Sequence, residues 1–114
     1  MNMSHTVPKW TQDEAIAFES ACECITDLIG ILMAAVYQEE SNATPDSQRL
    51  LELNAAVSRS WQTRERLGVH NHSGIARIRD EYGSKIRAWR ESEKVDRANE
   101  AVLQDLLQAT YACV

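Results

Sequence analysis

Residues 11–40 read TQDEAIAFESACECITDLIGILMAAVYQEE, and this stretch decides the fold. It opens with Thr11 as an N-cap and Glu14 three residues on, the pairing of a capping box. Asp13 and Glu14 fall in the first turn, where the helix dipole favours acids. From there Phe18, Cys22, Ile25, Ile29, Leu32 and Val36 recur with a period of about 3.6 residues. The spacing predicts one helix from Gln12 to Glu40. Gly30 in its interior costs about 1 kcal/mol against Ala and marks either close packing or a bend. Ala21, Leu28, Ile31 and Ala35 widen the apolar sector, which from Ile25 onward exceeds half the circumference. A helix like that is central in its own bundle or shared with another chain, so a homodimer through this apolar face is one expectation.

Working outward, residues 1–9 read as a flexible lead-in and 10–114 as a single helical domain. A chain of 114 residues is long enough for one core. With 4 Gly and 2 Pro and a wealth of Ala, Leu, Glu, Gln and Arg, helix is favoured over strand. Ser41 to Asp46 reads as a turn, with Thr44 capping a second helix and Pro45 at its first position. Leu50, Leu53, Val57 and Trp61 form that helix's stripe, which ends near Leu67 with Gly68 as the stop. Asn42-Ala43-Thr44 matches a glycosylation acceptor, which carries no weight without secretion. After the loop Val69 to Gly74, a third helix places Ile75, Ile78, Tyr82, Ile86 and Trp89 on one narrow face. Carried forward in phase, Val95, Ala98, Val102 and Leu106 fall about 150–200° away from that face. The chain therefore bends or breaks between Arg90 and Val95, with Ser92 or Asp96 as cap of a fourth helix, or one long helix serves two partners. The expected architecture is an all-α, three- or four-helix bundle in a single domain.

Charge is sorted along the chain. Residues 1–48 net −7, residues 49–90 net +5 and residues 91–114 net −3, for −5 in all. Blocks of this kind meet charged partners or pair with each other inside one fold. On the first helix Glu19, Glu23 and Asp27 stand at i, i+4 and i+8, a ladder of like charges that repel unless cations lie opposite. The basic middle holds Arg64, Arg66, Arg77 and Arg79, with Trp61, Tyr82 and Trp89 interleaved. Such a patch can hold phosphates, although Glu81 follows Arg77 by four residues and the net charge opposes nucleic acid.

Catalytic and metal-binding patterns are thin. Three cysteines make no disulfide framework; Cys22 and Cys24 diverge by about 200° on the helix and cannot share an ion. Cys22 reads as a buried small hydrophobe, and Cys113 lies next to the end. His70-Asn71-His72 places two imidazoles at i, i+2 in a loop. Zinc takes three or four ligands, and no His or Cys supplies the rest, so the loop reads as polar and no metal or other cofactor is expected. No Gly-rich phosphate loop or nucleophile elbow is present, and adjacent acids such as Glu39 and Glu40 diverge by 100°. The chain is expected not to be an enzyme. The N-terminus shows no apolar signal region, and the longest apolar run falls short of a span of about 20 residues, so a cytoplasmic protein without a membrane partner is expected.

These readings converge on a non-enzymatic, small acidic binding protein. The leading expectation is an inhibitor, immunity protein or antitoxin that neutralises a basic partner, such as a toxin or nuclease, by occlusion through Glu19, Glu23 and Asp27. The alternatives are a helical regulator or adaptor contacting nucleic acid through Arg64, Arg66, Arg77 and Arg79, and a dimeric scaffold or chaperone.

Overall fold

The computed structural model describes residues 10–95 and 99–111, so the lead-in 1–9, Asp96, Ala98 and Cys113 lie outside the described residues. The helices are α1 (Gln12–Glu40), α2 (Ser47–Arg66), α3 (His72–Arg77), α4 (Gly83–Val95) and α5 (Asn99–Ala109). A π-helical turn, Ile78–Tyr82, joins α3 to α4, and no strand occurs among the described residues. Because α3, the π turn and α4 follow one another without a gap, the architecture is a four-helix bundle, all-α as the sequence predicts.

α1 begins as its capping box requires. Glu14 N–H donates to Thr11 Oγ1 at 3.1 Å, and Thr11 N–H donates to Glu14 Oε1 at 2.8 Å. Its buried face is Ala21, Ile25, Leu28, Ile29 and Leu32. The turn after it is organised by Glu39. That carboxylate accepts from Asn42 Nδ2 at 3.0 Å and from Asp46 N–H at 2.9 Å, and sits 3.3 Å from Arg49 Nε. The cap of α2 is Asp46, not Thr44. Its Oδ1 accepts from Gln48 and Arg49 N–H, so Pro45 lies outside the helix and Ser47 is its first residue. Asp46, its backbone N–H held by the Glu39 carboxylate, supplies the capping acceptor in place of the threonine two residues earlier.

α2 runs antiparallel to α1, with Arg49 beside Glu39 and Arg64 beside Thr26. Its buried residues are Leu53, Ala56 and Ser60; Leu50 and Val57 are half-buried and Trp61 is 44% exposed. The stripe is thus turned from Trp61 toward Ser60, whose hydroxyl is satisfied by donating to Ala56 O at 2.8 Å. Gly68 does not stop the helix through left-handed backbone; the chain turns extended at Leu67, which buries its side chain.

α3 starts under Asn71, whose Oδ1 accepts from Gly74 N–H at 3.1 Å. A Cβ on Gly74 would stand 2.6 Å from Asn71 Nδ2, so the bare glycine is what lets the cap close over the turn. Ile75, Ile78, Tyr82 and Ile86 are buried and Trp89 is half-buried, the face the sequence predicts. α4 continues through Val95, so the break does not fall between Arg90 and Val95. Ser92 is a buried helical residue donating to Trp89 O at 2.7 Å rather than a cap. α5 then buries Leu103, Leu106, Leu107 and Ala109, with Val102 half-buried. It returns antiparallel to α4, placing Ala109 O where Tyr82 Oη donates to it at 3.2 Å. α5 is parallel to α2: Arg49 clamps Glu100 at 2.7 and 2.8 Å at one end, and Arg59 donates to Thr110 Oγ1 at 3.0 Å at the other. The result is an up-down-up-down bundle whose core is Ile25, Leu28, Leu32, Leu53, Ile78 and Leu106.

Candidate functional site

The outer face of α1 lies opposite its buried residues, because Glu19, Glu23 and Asp27 are half a turn away from Ala21, Ile25 and Leu28. All three acids are exposed. Asp27 Oδ2 sits 3.3 Å from Arg90 Nη2, while Glu19 and Glu23 make no ion pair among the described residues. Beside the ladder Phe18, Cys22, Thr26 and Arg64 line an open groove of about 400 Å³ shared with the three acids. Further along the same face come Gly30, Met33, Ala34 and Tyr37, all exposed, with open space where a Gly30 side chain would stand. The face is therefore acidic toward the start of α1 and apolar toward its end. By length and composition α1 would suffice to cross a membrane, with mean hydropathy 1.5 over 18 residues. In the bundle 28% of that window is buried.

The four arginines of the basic middle do not form one patch. Arg64 donates from Nε to Thr26 Oγ1 at 3.2 Å, on one flank of α1. Arg79 lies on the other flank with Ser20, Cys24, Gly83 and Arg87. Arg77 Nε is 3.5 Å from Glu81 Oε1, and Arg66 is exposed at the end of α2. α1 separates Arg64 from Arg79, and the acid ladder runs between two basic shoulders. Cys22 and Cys24 are half-buried on those same two flanks, so Cys22 is less enclosed than the sequence suggests. Burial pushes both thiols up, keeping them protonated and unreactive near neutral pH.

A second cluster forms where the α2–α3 loop meets the first turn of α1. His72 Nε2 is 2.6 Å from Glu14 Oε2 and His70 Nδ1 is 3.4 Å from the same oxygen. The two imidazoles stand edge to face, centroids 6.4 Å apart. The backbone N–H of Thr11, then His72, and to a lesser degree His70, hold the Glu14 carboxyl down at about 2, against the opposing effect of burial. Among the described residues these three are the ones whose ligand atoms could converge on a metal, all within 4.8 Å of one another. Read alone, the sequence supplies each of them in a separate role, Glu14 as a cap and the histidines as loop polarity. The signal that joins them is the antiparallel register. Glu39 opposite Arg49 and Thr26 opposite Arg64, carried down the hairpin, bring the start of α1 opposite the residues just after Arg66.

At the other end of the bundle, Trp89, Glu93, Glu39, Arg49, Glu100 and Leu103 surround a cavity of about 630 Å³. Hydrogen bonding to Glu100 raises the Arg49 guanidinium further and lowers the Glu100 carboxyl, so this pair stays charged across the ordinary pH range. It ties α2 to α5, and through Glu39 to α1. No protein-family model, curated protein or solved structure matches this chain.

Proposed function

We propose that the protein is a small, non-enzymatic binding protein that neutralises a basic partner, in the manner of an inhibitor, immunity protein or antitoxin, through the outer face of α1. The observation that carries this reading is the pair Glu19 and Glu23, exposed, one turn apart and in no ion pair among the described residues, with Arg64 in the same groove turned to Thr26. Like charges at that spacing repel by a few tenths of a kcal/mol, a cost that a cationic partner would relieve. The apolar strip Gly30, Met33, Ala34 and Tyr37 continues the same face and supplies the desolvated contact area that charge alone does not. Complementary charge would set the approach rate and register, and the apolar strip the residence time. The separation of Arg64 from Arg79 weighs against the adaptor reading, because phosphates of one strand would have to straddle the acid ladder.

The test is affinity capture from native lysate with nuclease treatment, comparing the wild-type chain with Glu19→Lys/Glu23→Lys/Asp27→Lys. A stoichiometric basic protein that survives nuclease and is lost with the triple reversal is the expected result. For that purified pair the association rate should fall by about tenfold or more in the variant and lose most of its salt dependence. Capture indifferent to the reversal, or recovery of nucleic acid alone, overturns the proposal.

A further inference from the structure

We propose that Glu14, His70 and His72 form a binding site for one divalent transition-metal ion of the zinc class. This inference is independent of the docking face on α1. The ligand atoms are Glu14 Oε2, His70 Nδ1 and His72 Nε2, all within 4.8 Å of one another. Bound to one zinc at about 2.0–2.2 Å in tetrahedral geometry, such atoms stand about 3.3 Å apart. Glu14 Oε2 is already 2.6 Å from one nitrogen and 3.4 Å from the other, so small side-chain rotations bring the set onto an ion.

The donor set chooses the metal class. Two imidazoles and a carboxylate suit zinc, cobalt, nickel or copper, whereas magnesium and calcium demand oxygen. Glu14 is the prepared member. Its other oxygen, Oε1, is held by Thr11 N–H at 2.8 Å, which orients Oε2 toward the histidines and serves as the outer-shell partner a ligating carboxylate needs. Asp13 and Arg79 line the recess beside Glu14 and His72, one favouring and one opposing a cation. Both imidazoles are largely exposed, leaving the fourth position open to water or to a donor from another molecule. A metal here would clip the first turn of α1 to the start of α3.

The experiment uses the untagged full chain, stripped with chelator and titrated with cobalt(II) by visible absorbance and with zinc(II) by calorimetry. One equivalent should bind with micromolar affinity, giving a low-coordinate cobalt spectrum and a rise in melting temperature. Glu14→Gln is the decisive variant, because glutamine keeps the capping hydrogen bond and removes the anionic ligand. It, His70→Ala and His72→Ala should each weaken binding about tenfold or more. His5→Ala should leave binding unchanged. No binding below millimolar metal overturns the proposal. Binding that survives all three substitutions, or that vanishes with His5→Ala, overturns it equally.

Discussion

At the scale of the residue, Glu14 shows how one side chain serves two ends of the molecule. Oε1 closes the capping box on Thr11, and Oε2 receives the start of α3 through His72. Both contacts favour the charged form, which is why the carboxyl is lowered from 4.5 to about 2. A carboxyl lowered on folding contributes stability that is fully present above its unfolded value and is lost as pH falls through its folded value. The wild type should therefore be more stable than Glu14→Gln near neutral pH. That advantage should shrink as pH drops from 4.5 toward 2. Thermal unfolding of both chains in metal-free buffer across this window measures the difference. An unchanging gap would mean that the carboxylate is not held by these partners. The capping role of Glu14 is legible in the sequence because the box is local, spanning Thr11 to Glu14. Its role toward His70 and His72 is not, since nearly sixty positions separate it from them and only the hairpin register closes that gap.

At the scale of the element, α1 was legible from end to end and α2 was not. α1 declares itself by a local cap and a long run of large apolar residues, and both its bounds agree with the structure. In α2 the buried residues are Ala56 and Ser60 beside Leu53, small residues that let helices approach but leave little hydropathic trace. Trp61, the largest apolar side chain of the expected stripe, is pushed to the rim. In α5 Leu106, named from the phase of the third helix, is buried together with Leu103, Leu107 and Ala109, whereas Val102 is half-buried. The register of α2 can be tested directly. Leu53 has no exposed surface, so Leu53→Ala should cost about 2–5 kcal/mol, the range for a buried leucine. Trp61→Ala should cost well below that, within about 1 kcal/mol, because nearly half of the side chain already meets solvent. Chemical denaturation of the two variants distinguishes the registers. Equal losses would restore Trp61 to the core.

At the scale of the whole molecule, the charge blocks read from the sequence close on one another at two arginines. Arg49 of the basic block lies between Glu39 of the first block and Glu100 of the last, and Arg90 reaches Asp27. On the outer face of α1 the Glu19 and Glu23 pair makes no ion pair among the described residues and is followed by the apolar strip from Gly30 to Tyr37. Two candidate occupants of that face can be told apart, the basic partner proposed above and a second copy of this chain. Their salt dependence has opposite sign. A basic partner is drawn by the acids, so its binding weakens as salt screens them. A second copy brings the same acids and the same net charge of −5, so salt relieves repulsion and strengthens self-association. A two-fold pairing of parallel α1 helices would set acid against acid. An antiparallel pairing sets each ladder against the other chain's strip and leaves only the longer-range repulsion. Sedimentation velocity from about 0.05 to 0.5 M salt should then show any dimer growing with salt. Met33→Asp, at a position 41% exposed, should abolish that dimer without unfolding the bundle. A dimer that dissolves with salt, or that ignores Met33→Asp, would place the self-contact on another face. The outer surface of α1 would then carry no self-contact.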